Sequence, residues 1–150
     1  MNKPVVEVQV LSVLPAPAGC AVFLGNGEKA FVIYVNNTVG ASLAALLSGM
    51  HQERPLTHDL MMHLLRALGA RVERVVINDL QKGTYFARVI VSAENELQAR
   101  KIIELDARPS DGIALALGQR APIYVTRDVW DEAEDMSDIL RKITEQAEEE

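Results

Sequence analysis

Apolar residues alternate with polar ones at the start of the chain. Val6, Val8, Val10 and Leu14 fall on one face, with Glu7 and Gln9 on the other. A period of two predicts a strand with one face buried. The segment Pro15-Ala-Pro-Ala-Gly19 predicts a break, Cys20–Leu24 a second strand, Gly25-Asn-Gly27 a turn, and Ala30–Val35 a third strand. The first third of the chain therefore reads as a short meander.

The period then lengthens. Behind the capping signal Asn36-Asn37-Thr38, Val39, Leu43, Leu46, Leu47 and Met50 recur at helical spacing, with Gly40, Ala41, Ala44 and Ala45 small enough for close packing. A second helix is expected from Thr57, with Leu60, Met61, Leu64, Leu65 and Leu68 as its packing face and Gly69 as its stop. Arg71–Ile77 and Thr84–Ser92 read as a hairpin around Gly83, Asn95–Lys101 as a short turn or helix, and Ile102–Leu105 as a short strand. Pro109–Leu117 is apolar almost all round, which predicts a buried helix. Pro122–Val125 reads as another strand. From Asp135 to about Ala147, an amphipathic helix is carried by Met136, Ile139, Leu140 and Ile143. Strands grouped in antiparallel fashion with helices between them predict an α+β fold: an antiparallel or mixed β-sheet with several packed helices. A single domain is expected over positions 1–134, followed by the amphipathic helix and acidic tail over 135–150.

Composition narrows the class. Fifteen basic against 21 acidic residues give a net charge of -6, which argues against a surface built to coat nucleic acid but leaves room for a local basic site. With 5% aromatic residues, the core must be mainly aliphatic. Cys20 is the single cysteine, so no disulfide can form within the chain, which fits a reducing compartment. The start of the sequence reads as strand rather than signal region, and no apolar run approaches the roughly 20 residues of a membrane span. A cytoplasmic location away from membranes is the expectation.

Two segments place polar groups at helix starts beside apolar runs: Arg54-Pro55-Leu56-Thr57-His58-Asp59 and Asp106-Ala107-Arg108-Pro109-Ser110-Asp111-Gly112. In each, Pro holds the preceding Arg extended, and a hydroxyl and an Asp follow in the first turn. These residues are consistent with helix caps and structural ion pairs. They also suit an anion site, because Arg54, Arg108, Thr57 and Ser110 would converge with amide groups on a phosphate or carboxylate. His58 and Asp59, with Asp111, are the candidates for proton transfer. Asp59 and His63, four residues apart, could touch, but two groups alone do not make a metal site. Glycine-rich phosphate loops, nucleophile elbows, HExxH and RNA-binding aromatic motifs are missing.

The run Arg54-Pro-Leu-Thr-His-Asp-Leu60, followed about fifty residues later by Asp106-Ala-Arg-Pro-Ser-Asp-Gly-Ile-Ala-Leu-Ala116, resembles the bifunctional nuclease domain family. The likeness spans roughly Val5 to Val125 and includes Ile33-Tyr34-Val35 and Ala121-Pro122-Ile123. The resemblance implies an α+β fold, self-association and nuclease activity on DNA and RNA; the small-residue first helix and the amphipathic tail helix make a homo-oligomer, with a dimer favoured, the expectation. It carries Arg54, Thr57, His58, Asp59, Arg108, Ser110 and Asp111 over as site residues, with Mg²⁺ or Mn²⁺ as the divalent cation to test. One departure matters. Where the family usually has a Gly and, three residues on, a Glu, this chain has Asn36 and Val39. Two functions follow as expectations: a nuclease-like phosphodiester hydrolase weakened by Val39, or a non-catalytic oligomeric module with an anion-binding site.

Overall fold

The computed structural model describes residues 4–49 and 57–149. Met50, Arg54, Pro55, Leu56 and Glu150, which figure in the sequence reading, lie outside them. Seven strands and five helices follow one another as β1 (Val5–Ala16), β2 (Gly19–Gly25), β3 (Ala30–Val35), α1 (Asn37–Ser48), α2 (Thr57–Ala67), β4 (Ala70–Gln81), β5 (Thr84–Glu94), β6 (Arg100–Ala107), α3 (Pro109–Gln119), β7 (Ile123–Thr126), α4 (Arg127–Glu132) and α5 (Ser137–Glu149). The class is α+β, as expected.

The strands form one sheet in the order β3-β2-β1-β7-β4-β5-β6. Every neighbouring pair is antiparallel except β4 and β7, which run parallel, Val76 opposite Tyr124. Strand β1 continues through Pro15, which faces Cys20, so the predicted break falls later, at Pro17-Ala18. The β4–β5 hairpin turns at Lys82 and Gly83, with φ of 51° and 81°. Two consecutive left-handed residues are what a two-residue hairpin needs to match the twist of its strands.

The sheet curls. Phe31 on edge strand β3 lies 5.4 Å, ring centre to ring centre, from Tyr85 on β5, although four strands separate them in the sheet order. Trp130 on α4 meets Phe31 edge-on at 6.2 Å. Helix α4, which the sequence pattern did not reveal, thus buries the only Trp and closes this aromatic contact. After α4, the backbone is tied to β3: Met136 N–H donates to Ala30 O at 2.6 Å, and Ala30 N–H donates to the Asp135 carboxylate at 3.4 Å.

Helix α3 is buried on nearly every side, through Pro109, Gly112, Ile113, Ala114, Leu115 and Ala116. It packs on β4 and β5, where a side chain at Gly112 would crowd Val75. Gly40 of α1 similarly allows α1 to rest on Cys20 of β2. Helix α2 departs from its amphipathic reading. Leu60, Met61, Leu64 and Leu68 of its apolar stripe are exposed by 45–70%, and Met62 is the buried residue, set against Gly118 of α3. The reason is register: α2 packs on the face carrying Met62 and Leu65, leaving Leu60, Met61, Leu64 and Leu68 outward. Among the described residues, no helix is long and apolar enough to cross a membrane.

Candidate functional site

Helices α1 and α3 run side by side in the same direction. Asn36 and Val39 at the start of α1 share a cavity with Arg108, Pro109 and Ser110 at the start of α3. Leu47 near the end of α1 shares a shallower recess with Ala116, Leu117 and Arg120 at the end of α3. Two helix starts therefore open on one cavity of about 650 Å³, within the range of small-molecule sites. Its other walls are Tyr34 on β3, Leu80, Thr84 and Tyr85 around the β4–β5 turn, and Glu134 and Met136 after α4.

The capping chemistry differs between the two starts. The Asn36 side chain accepts from Val39 N–H at 2.8 Å, satisfying one free donor of α1. Arg108 stands at the cap position of α3 and makes no side-chain cap bond, with Pro109 supplying the preset first turn. The first turn of α1 contains no acid. In α3 the acid is Asp111, and it is engaged by Arg108: Nε and Nη2 donate to its two carboxylate oxygens at 2.8 and 3.2 Å. This pair is exposed and holds the Arg108 pKa above the ordinary guanidinium value, first through the hydrogen bond and then through the charge of Asp111. The guanidinium is a permanent cation at the cavity edge.

The first segment is built separately. His58 Nε2 lies 3.6 Å from Asp59 Oδ1 at the start of α2, with the imidazole 14% and the carboxylate 28% exposed. Thr57 begins the helix and is exposed. One turn later, Met62 docks α2 on Gly118, near the far end of α3 from Arg108. Arg108 and Ser110 line the cavity, whereas Thr57, His58, Asp59 and Asp111 are not among its lining residues. Arg54 is outside the described residues. Among those described, no three His, Cys, Asp or Glu side chains gather as a metal site.

Several cavity residues escaped the sequence reading. Tyr34 was visible as part of a strand within the family likeness, Met136 as part of a tail helix, and none of them, nor Glu134, as a site residue. Tyr85 has its pKa raised, chiefly by burial and further by the charges of Glu132 and Glu134, which places a protonated hydroxyl beside acidic groups. Each of these enters the site through curling of the sheet or through the segment after α4, and neither leaves a periodic signature.

The sequence profile of the bifunctional nuclease domain matches residues 22–138, a stretch that runs from β2 into α5 and contains every wall of the cavity. An uncharacterized protein of Mycobacterium tuberculosis is 38% identical over 108 residues, covering 72% of this chain and 61% of that protein. Bifunctional nuclease 1 of Oryza sativa subsp. japonica is 29% identical over 98 residues, 65% of this chain and 29% of its own length. The bifunctional nuclease of Oryza minuta matches to the same extent. The chain thus spans about three-fifths of the mycobacterial relative and under a third of the rice proteins. With the profile covering most of the fold and both helix starts that frame the cavity, this chain belongs to the bifunctional nuclease domain family.

Proposed function

We propose that the cavity between the starts of α1 and α3 binds a phosphodiester of DNA or RNA, and that the protein is a nuclease-like hydrolase acting in the cytoplasm. The observation that carries this reading is the convergence of Arg108, Ser110 and two helix N-termini on one cavity. Helix starts and a fixed cation stabilise the negative charge that builds on phosphorus during displacement. In this reading Thr57, His58 and Asp59, which do not line the cavity, contact the same nucleic acid outside it, and Asp111, held by Arg108 at the cavity edge, moves protons. A divalent cation, Mg²⁺ or Mn²⁺, would take its ligands from one or two carboxylates and the substrate's own phosphate oxygens.

The test is cleavage of single-stranded RNA and DNA, with and without Mg²⁺ or Mn²⁺, by wild type and by Arg108→Ala, Asp111→Ala and His58→Ala. Each substitution is expected to lower the rate. Robust wild-type cleavage that all three leave untouched overturns the site.

A second reading rests on Val39. Where the family usually places a Glu, this cavity has a hydrocarbon, and the Asp111 carboxylate is already clasped by Arg108. On that basis the same cavity serves a non-catalytic anion-binding module. Under either reading we propose a homodimer, because the leucine stripe of α2 faces outward.

A further inference from the structure

Tyr34 is exposed by 66%, whereas Phe23, Phe31 and Trp130 are buried. A large aromatic ring left in water forgoes the burial that such side chains ordinarily gain. Here the ring stands on edge strand β3 and lines the same cavity as Arg108 and Ser110. The cavity has two chemical characters. Its lining combines apolar and aromatic side chains, Val32, Tyr34, Val39 and Leu80, with polar and charged ones, Asn36, Arg108, Ser110 and Glu134. A nucleotide has the matching halves, a flat π-faced base and an anionic phosphate.

We infer that Tyr34 is a base-stacking platform, and that the cavity takes one unpaired nucleotide, with its base on Tyr34 and its phosphate at Arg108 and Ser110. The inference rests on the proposed phosphodiester site and specifies its substrate class. In a duplex both faces of each internal base are covered by neighbours, so the platform selects single strands and frayed ends. Stacking is indifferent to sequence, because every base has a π-face. The site is therefore selective for strandedness and tolerant of base identity.

The experiment measures binding rather than turnover. Fluorescence anisotropy of a short fluorescein-labelled single strand, and of a blunt duplex of the same sequence, is followed in EDTA at low ionic strength, since the chain carries a net charge of -6. Wild type is expected to favour the single strand. Tyr34→Ala should weaken single-strand binding by about 5- to 150-fold, the span of one lost base–aromatic stack. Tyr34→Phe should restore it and Tyr34→Leu should not, which separates stacking from mere bulk. Arg108→Ala should weaken binding and make it less salt-dependent. If Arg108→Ala weakens binding while Tyr34→Ala does not, the platform is wrong and the phosphate site stands. If wild type binds neither probe, or Arg108→Ala changes nothing, the phosphodiester reading fails and takes the platform with it.

Discussion

Arg108 and Asp111 grip each other across the first turn of α3, through two hydrogen bonds of 2.8 and 3.2 Å at the edge of the cavity. The pair is exposed, so it contributes little to the fold. An incoming phosphate would compete with Asp111 for the guanidinium. Arg108→Ala should therefore leave the melting temperature nearly unchanged while weakening oligonucleotide binding on the order of tenfold, as expected for loss of a charge-assisted contact. A large drop in Tm with unaltered binding would identify the pair as structural.

Val39 sits in the first turn of α1, half-buried, and lines the same cavity as Arg108 and Ser110. Val39→Glu places a carboxylate in the cavity, at a helix start that has no acid of its own and favours negative charge. If the first reading holds, cleavage should rise by about 10²–10⁴-fold, the usual contribution of a general acid or base. The accompanying stability loss should be about 1–3 kcal/mol, from partial burial of a polar group. Rates of RNA and DNA cleavage and a urea titration check both. A folded Val39→Glu protein with no gain in rate would favour the anion-binding module.

The strands and helices were legible where one residue pattern decides them. The meander, the Gly83 hairpin and the all-apolar α3 follow from alternation, turn chemistry and composition. What escaped was tertiary. Helix α4 is six residues long, too short to establish a helical period, and is held by Trp130 against Phe31. Of the stripe of α2, Leu65 packs inward but Leu60, Met61, Leu64 and Leu68 do not, because the close contact between Met62 and Gly118 sets the register. For the site, Arg108 and Ser110 were marked by Pro109 and the following Asp, whereas Tyr34 joins them through the curl of the sheet and Glu134 through the segment after α4.

That outward stripe makes a specific expectation. Leu64, 58% exposed at the centre of the stripe, should become buried when two copies associate. Leu64→Glu should convert a dimer to monomer in size-exclusion chromatography with light scattering, leaving the circular dichroism spectrum intact. A wild type that stays monomeric at micromolar concentration would exclude the dimer.

Asp135 gives the fold an acid limb. Its pKa is lowered from 3.8, chiefly by hydrogen bonds from the Ser137 side chain and backbone, with Ala30 N–H and Lys29 adding to the effect. Folding depresses this pKa, so the unfolded chain takes up the proton first as pH falls. The contribution is complete above the ordinary value and is lost as pH falls from 3.8 through the lower folded value. Urea midpoints should accordingly drop over that window in wild type and drop less in Asp135→Asn. Parallel curves for the two proteins would show that the carboxylate adds nothing.

Strand β7 has four residues, yet among the described residues it alone joins the two halves of the sheet: Ile123 pairs with Val8 on one side and with Val75 on the other. On one side β1, β2 and β3, and on the other β4, β5 and β6, close as hairpins of neighbouring sequence. Insertion of β7 between them requires a long loop closure from one end of the chain to the other, the kind of contact that slows folding. In chain order this strand comes between α3 and the segment carrying Glu134 and Met136, so the cavity walls are brought together in the same step. Pairing of β7 thus couples completion of the sheet to completion of the cavity.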